Sequence, residues 1–434
     1  MQLPNNWRLL SLPDCMSAII DYRGKTPRKV SFGVPLITAK IVKGGRIHEP
    51  EEFIAEEDYD DWMQRGLPKK GDVVFTTEAP LGEVAQLDGR KVALAQRLIT
   101  LRGKLDVLDN NFLKFLMQSD FVQEQLHARS TGTTVLGIRQ SELRKVILVV
   151  PPLDEQRAIG RILGALDDKI ELNRQMNRTL EALAQSLFKS WFVDFDPVTA
   201  KAAGRKPYGM NEEIAALFPD AFEDALGMIP RGWHARQVKD LGSVICGKTP
   251  STKEADNFGS DIPFITIPDM HGVIFISQTE RSLSVKGAES QAKKYLPENS
   301  ICVSCIATPG LVCITSQLSQ TNQQINSVVP KAGISAYFCY WLLRNLGDEI
   351  RAGGSGGTVF HNLNTGDFSR IEILMPSDPV IDAFHSSCLA MMNLILDNQK
   401  QLQTLYDLRD LLLPKLLSGE IRVRQAENLV AEAV

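Results

Sequence analysis

Two stretches of this 434-residue chain combine the residue types that handle phosphate groups: Arg129-Ser-Thr-Gly-Thr-Thr134 and Arg351-Ala-Gly-Gly-Ser-Gly-Gly-Thr358. Small residues free the backbone N–H groups, and hydroxyls and a guanidinium add donors suited to phosphate oxygens. No Gly-Lys-Ser/Thr follows either stretch, so neither is a Walker-type nucleotide loop. Arg129, Thr131, Thr133 and Thr134 in the first, and Ser355, Thr358 and the nearby His361 in the second, are candidate contacts. Two Gly-Lys-Thr-Pro turns add Lys25, Thr26, Lys248 and Thr249, each turn presenting a cation and a hydroxyl. Lys40, Lys43 and Arg46, and Gln323 and Gln324, carry side chains able to reach base edges. Arginine or lysine reads guanine in the major groove, and glutamine reads adenine. A plainer reading competes for each: a turn between helix and strand, or solvated surface.

Catalytic patterns are missing. The sequence has no Gly-x-Gly-x-x-Gly after a strand, no Asn-Pro-Pro-Tyr, no Walker pair and no His/Cys/carboxylate cluster at metal spacing. Cys302 and Cys305 form a C-x-x-C inside Asn-Ser-Ile-Cys-Val-Ser-Cys-Ile-Ala-Thr, which alternates like a strand and has no second pair. The expectation is therefore no catalytic residue, no metal and no cofactor on this chain.

The length allows two or three domains. Seven cysteines, without a disulfide-framework spacing, fit a reducing compartment. The N-terminus lacks a signal peptide's apolar core and no apolar run approaches a membrane span, so a cytoplasmic protein is expected. The net charge of −4 is unevenly spread. Residues 1–150 carry 21 Lys+Arg against 19 Asp+Glu, and residues 230–376 carry 13 against 12. Residues 151–229 carry 9 against 13, and residues 377–434 carry 5 against 8. The negative charge thus falls on the portions with helical periodicity, and the rest permits contact with nucleic acid without demanding it.

The same signals occur twice, offset by about 224 residues. Pro4-Asn-Asn-Trp7 matches Pro230-Arg-Gly-Trp233, and the Gly-Lys-Thr-Pro turns match each other. Val34-Pro-Leu-Ile-Thr38 matches Ile262-Pro-Phe-Ile-Thr266, the two Gly/Thr loops match, and Pro152 matches Pro376. Each copy reads as α+β. Strands are expected at 34–39, 72–77, 91–101 and 146–150, and at 262–267, 300–306, 311–315 and 371–375. A helix of about 18 residues precedes each Gly/Thr loop, over 111–129 and 335–351.

Each copy leads into a long helix. Over 151–190, Ile159, Leu166, Asn173, Leu180 and Leu187 recur every seven residues, and a second series is read three places on at Ile162, Lys169, Met176 and Leu183. This is a coiled-coil seam. Asp154 is the expected N-cap, and roughly 55 Å of rod needs a partner. Residues 378–413 supply one, with Asp378 as N-cap and Phe384, Met391, Asn398, Leu405 and Leu412 as seam. Pro414 is expected to stop that helix, and 418–423 to turn into a short strand. If a two-fold axis relates the copies, the helices run antiparallel, and Asn173 and Asn398 hydrogen-bond across it. Asn173→Leu with Asn398→Leu would then raise thermal stability and loosen register. The expected fold class is α/β (α+β), with two pseudo-two-fold-related α+β domains separated by a long antiparallel two-helix coiled coil.

The helical motifs carry a resemblance. Pro-Pro-Leu-Asp-Glu-Gln-Arg at 151–157, Lys169-Ile-Glu-Leu-Asn173 and Leu187-Phe-Lys-Ser-Trp-Phe-Val-Asp-Phe-Asp-Pro197 resemble the central region of type I restriction-modification specificity subunits. Phe218-Pro-Asp-Ala-Phe-Glu-Asp224 with Leu226-Gly-Met-Ile-Pro-Arg-Gly-Trp233 resembles that family's entry to its second recognition domain. Leu408-Arg-Asp-Leu-Leu-Leu-Pro-Lys-Leu-Leu-Ser-Gly-Glu420 resembles its distal region. The match spans nearly the whole chain, although the recognition domains match only in layout.

The resemblance implies a division into a first target-recognition domain (1–150), a central helical spacer (151–196), a linker (197–229), a second target-recognition domain (230–376) and a distal helical spacer (377–434). It implies double-stranded DNA as ligand, read as an asymmetric bipartite site. It also implies two modification subunits, which methylate adenine using S-adenosylmethionine, and ATP- and Mg2+-dependent restriction subunits, with these cofactors on the partners. The rival expectation is a non-DNA scaffold that spaces two protein-binding domains on a helical rod. A self-contained methyltransferase lacks its motifs here.

Overall fold

Val73–Thr77 is buried at all five positions, as expected of a strand covered on both faces. It lies inside a four-stranded antiparallel sheet in the order Met16–Asp21, Leu98–Gly103, Val73–Thr77, Leu81–Gln86. A smaller sheet runs Ala93–Leu94, Val34–Ile37, Phe53–Ile54, Lys29–Val30, with its first pair parallel. Arg8–Ser11 pairs with Ile147–Val150 and closes the domain on itself. The computed structural model describes residues 4–24, 26–224, 228–306, 308–351 and 364–433.

These elements belong to one of two compact units. The first comprises Met1–Glu171 with Gln403–Val434, and the second comprises Leu172–Leu402. The second unit repeats the plan. Gly242–Cys246, Ile325–Pro330, Ile301–Ser304, Val312–Thr315 and Phe275–Ile276 form its larger sheet. Phe258–Gly259, Ser282–Leu283, Ile262–Ile265 and Gln320–Thr321 form the smaller one, again ending in a parallel pair. His234–Gln237 pairs with Glu372–Met375, as Arg8–Ser11 does with Ile147–Val150.

The central helix runs over Leu153–Phe192 and the distal helix over Asp378–Ser418. Within the first unit, Glu155 meets Arg422 at 2.8 Å and Asp167 meets Arg409 at 3.6 Å, so the helical segments there run antiparallel. Within the second, Asn173 meets Gln401 at 2.7 Å and Asn177 meets Asn398 at 2.8 Å, again antiparallel. The seam residues Ile159, Leu166, Asn173, Asn398, Leu405 and Leu412 are buried, and Leu180, Leu187 and Met391 are half-buried.

Several expectations are corrected. The more fully buried second series lies four places on, where Leu163, Ile170, Ala184 and Trp191 are buried and Asn177 is half-buried; of the residues read three places on, Ile162 is buried, Lys169 and Met176 are half-buried and Leu183 is 55% exposed. Alternating steps of three and four keep the stripe on one side of a 3.6-residue helix. Asp154 and Asp378 lie inside their first turns rather than at the caps. The distal helix continues past Pro414, whose side chain is exposed, because Leu412, Leu416 and Leu417 on the same segment are buried. Beyond Gly419, which has a positive φ of 74°, Val423–Ala433 is a helix rather than a strand: Val423, Ala426 and Val430 are spaced for a helical face. The helix read over 111–129 is two helices, Asn110–Gln118 and Asp120–Ala128, because Ser119 adopts an extended conformation and caps the second. The strand read over 91–101 is also two, Ala93–Leu94 and Leu98–Gly103, with a turn between them.

Among the described residues, the distal helix is long and apolar enough to cross a membrane by length and composition. Its apolar side is already used: Val380, Ile381, Phe384, Cys388, Met392 and Ile395 are buried in the second unit's core. Cys302 and Cys305 are both buried but in different apolar clusters, and no metal-holding group of side chains occurs among the described residues.

Candidate nucleic-acid interface

The turn that splits the 91–101 segment is where the first unit's polar side chains converge. Leu94 sits opposite Ile37 in the parallel pair, and Ala95 N donates to Ile37 O at 2.9 Å. Gln96 and Arg97 then emerge at the rim of a cleft of about 260 Å³, whose lining includes Thr26, Thr38, Lys40 and Glu52. Arg97 Nε lies 3.0 Å from Glu78 Oε1, with both side chains about half exposed. Lys40 pairs with Glu51 at 3.1 Å and Lys29 with Glu52 at 2.8 Å. Exposed pairs of this kind are weak and readily exchange partners, so the cations remain available to a stronger polyanion.

The Gly/Thr loop is stitched to the same region. Thr131 and Gly137 exchange backbone hydrogen bonds of 2.8 and 2.9 Å, and Ile138 N donates to Thr77 O at 3.0 Å. Arg23 Nη1 donates to Ile138 O at 2.8 Å, tying the loop to the chain entering the Gly-Lys-Thr-Pro turn. Arg23 is itself gripped by Asp21 at 2.7 Å, and Arg65 donates to the Arg23 carbonyl at 2.7 Å. Behind the turn, burial pushes the Tyr22 phenol above its usual pKa, keeping it a donor to Gly66 O at 2.8 Å. Thr133 and Thr134 are exposed on the loop, followed by the exposed Val135 and Leu136. Arg129 is turned toward the Lys145 carbonyl, with its Nε buried.

Two candidates sit elsewhere. Lys43 and Arg46 belong to the hairpin Val42–Lys43/Arg46–Ile47, and Arg46 pairs with Glu171 on the central helix. That pair is about one-third exposed, so Arg46 anchors the hairpin to the helix instead of standing free.

The second unit builds the same frame. Thr321 sits opposite Ile265, and Asn322 N donates to Ile265 O at 3.2 Å, the counterpart of the Ala95 bond. The turn Asn322-Gln323-Gln324 follows, and the second Gly-Lys-Thr-Pro turn packs on it. Lys248 N donates to Thr321 O at 2.9 Å and Thr249 Oγ1 to Gln323 Oε1 at 2.7 Å. A Cβ on Gly247 would lie 2.2 Å from Asn322 O, so only glycine allows this approach. Asn322 Nδ2 donates to Gln324 Oε1 at 3.0 Å. Lys248, Thr249, Gln323 and Gln324 thus share one surface. Lys25, Ser355, Thr358 and His361 lie outside the described residues.

Aligning the two frames by their parallel pairs matches Leu94-Ala-Gln-Arg-Leu-Ile-Thr100 with Thr321-Asn-Gln-Gln-Ile-Asn-Ser327. Gln96 corresponds to Gln323 and Arg97 to Gln324. Sequence reading missed Gln96 and Arg97 because the segment around them resembled one unbroken strand. The available signal was the second copy's polar turn, whose offset falls within the spread of the other matches.

Comparison with known proteins agrees with this architecture. The family model for the type I restriction modification DNA specificity domain matches residues 22–182 and again residues 230–384. The chain is 39% identical to the type I restriction enzyme HindI specificity subunit of Haemophilus influenzae, over 81% of this chain and 87% of that one. It is 27% identical to the MjaIX specificity subunit of Methanocaldococcus jannaschii, over 98% and 95% respectively. Its fold resembles the crystal structure of the type I restriction-modification S subunit from M. genitalium, with a TM-score of 0.63 and 16% identity, covering 96% of this chain and 98% of that one. With the recognition frame built twice and the family model matching both copies, the chain belongs to the type I restriction-modification specificity subunits, which recognise DNA sequence.

Proposed function

We propose that this subunit reads an asymmetric bipartite DNA site, one half with each recognition frame. The observation that carries this reading is the repeated turn: the same backbone geometry presents Gln96 and Arg97 in one unit and Gln323 and Gln324 in the other. Like frames with unlike side chains call for unlike half-sites. In this reading residues 1–150 and 230–376 are the recognition domains, 151–196 and 377–434 the helical spacers and 197–229 the linker. The spacers, which join the recognition domains in sequence, set the unread gap.

The chain itself performs no bond-making step. It works in the cytoplasm with two adenine-modifying subunits that use S-adenosylmethionine and with ATP- and Mg2+-dependent restriction subunits. The negative balance of the helical portions, 9 against 13 and 5 against 8 charges, keeps them off the phosphate backbone and leaves them for protein partners. The scaffold alternative is disfavoured by membership of a DNA-specificity family.

Methylome sequencing of cells with and without this chain and its partner subunits tests the proposal. A two-part motif with methylated adenine that depends on the chain is expected. A continuous motif, or a palindromic pair of identical halves, would contradict it.

A further inference from the structure

We infer that Arg97 and Gln324 are matched base-reading positions, Arg97 selecting guanine in one half-site and Gln324 selecting adenine in the other. This rests on the bipartite reading above and deepens it.

The two residues occupy the same place in the same frame. Each is the third residue of the turn that leaves the short parallel strand, and in each turn the first residue donates its N–H back to the partner strand, at 2.9 Å from Ala95 and 3.2 Å from Asn322. The middle residue is glutamine in both copies, and the first, Ala95 or Asn322, is held by its backbone bond, with the Asn322 amide turned onto Gln324, so the third position is the difference the two turns offer a ligand. Both turns are flanked by hydroxyls and cations suited to the backbone of a duplex: Thr26, Thr38 and Lys40 around the first, Lys248 and Thr249 around the second. Flanking phosphate contacts position a reader, and the residue they position carries the sequence information.

The side-chain arrangements suit their assigned bases. Glu78 Oε1 lies 3.0 Å from Arg97 Nε in a half-exposed pair, weak enough to release the guanidinium to a base. The planar fork of the guanidinium matches guanine O6 and N7. At Gln324, Asn322 Nδ2 donates to Oε1 at 3.0 Å and fixes which end of the amide is oxygen. That oxygen retains a second lone pair for adenine N6–H, beside an amide NH2 for N7.

The test uses the full chain assembled with its modification subunits and duplexes carrying the motif from methylome sequencing. With the natural chain, replacing the critical guanine or adenine should weaken binding about ten- to a hundredfold. With Arg97→Ala, replacing a single guanine in one half should cost less than about twofold, and every other position should keep its full effect. Arg97→Gln should move the preference at that position from guanine to adenine. Gln324→Ala should relax a single adenine in the other half. Undiminished discrimination at the untouched half-site shows that each variant folds and assembles. Even weakening across all duplexes would make Arg97 a phosphate contact and overturn the inference. So would unchanged discrimination in the variants, or complete loss of binding in both Arg97 variants. If the natural chain yields no bipartite motif, it is the underlying reading that fails instead.

Discussion

Asn398 donates its side-chain amide to Asn177 Oδ1 at 2.8 Å, while Asn173 donates to Gln401 at 2.7 Å. The expected direct bond between Asn173 and Asn398 is replaced by two rungs, each joining one seam series to the other. Asn173 and Asn398 are 1% and 6% exposed, so these amides lie in the apolar seam. The expected gain from Asn173→Leu with Asn398→Leu therefore reverses, because Gln401 would lose its bond from Asn173 and the Asn177 oxygen its bond from Asn398. Thermal melts should show the double variant losing on the order of 2 kcal/mol. Replacing all four amides with leucine should instead raise the melting temperature.

Gln156 is fully buried and ties the start of the central helix to the first unit. Its Oε1 accepts from Asp109 N at 2.9 Å, and its Nε2 donates to Val107 O and Pro151 O at 2.9 and 2.8 Å. Gln156→Leu leaves these backbone groups unmatched and should cost on the order of 3 kcal/mol. Chemical denaturation of the natural and variant chains measures the difference.

Gly247 cannot carry a side chain without displacing the Asn322 turn. Gly247→Ala should weaken recognition of one half-site by about tenfold or more and leave the other intact. Binding to duplexes altered in one half at a time separates the two effects.

Arg46→Ala provides the contrasting case. Its ion pair with Glu171 is partly buried, so the expected loss is about 1 kcal/mol of stability. The methylated motif should be unchanged at every base, which methylome sequencing of the variant would show.

The described cysteines are all free, and burial pushes six of their thiols up from an ordinary 9.0: Cys15 to about 11, Cys302, Cys339 and Cys388 to about 12, and Cys305 and Cys313 in the same direction. Below about pH 8 both folded and unfolded thiols are largely neutral, so these groups leave stability flat. Between pH 9 and 12 the unfolded thiols ionise first, and the folded state loses stability as pH rises. Melting temperature should fall steadily above pH 9, less steeply in Cys388→Ala. Under native conditions iodoacetamide should modify the partly exposed Cys246 well ahead of the six buried thiols.

Legibility followed chemistry of different ranges. The duplication and the long helices were readable because heptad spacing and repeated motifs are local. Asn173 was recognisable as a seam residue, but its partner Gln401 was not, because Gln401 lies three residues past Asn398 on the distal helix, outside the seven-residue series read there. Arg46 was legible as a side chain able to reach base edges, but its pairing with Glu171, 125 residues away, was not. Arg97 was hidden because a turn of three residues between two strands leaves little trace in hydropathy. Gly247 was legible as a tight turn, yet its need for glycine comes from Asn322, which sequence alone does not bring near.

Gly160 on the central helix lets that helix press against the start of Asn110–Gln118: an added Cβ there would meet Asn111 Cβ and Phe112 N at 3.2 Å. With Gln156 bonded one turn earlier, the helix is held closely against Asn110–Gln118 and the chain that enters it. A twist applied along its axis would turn the recognition frame with it, as a shaft turns a keyed wheel. Whatever grips the outside of this helix therefore has a mechanical handle on the first frame.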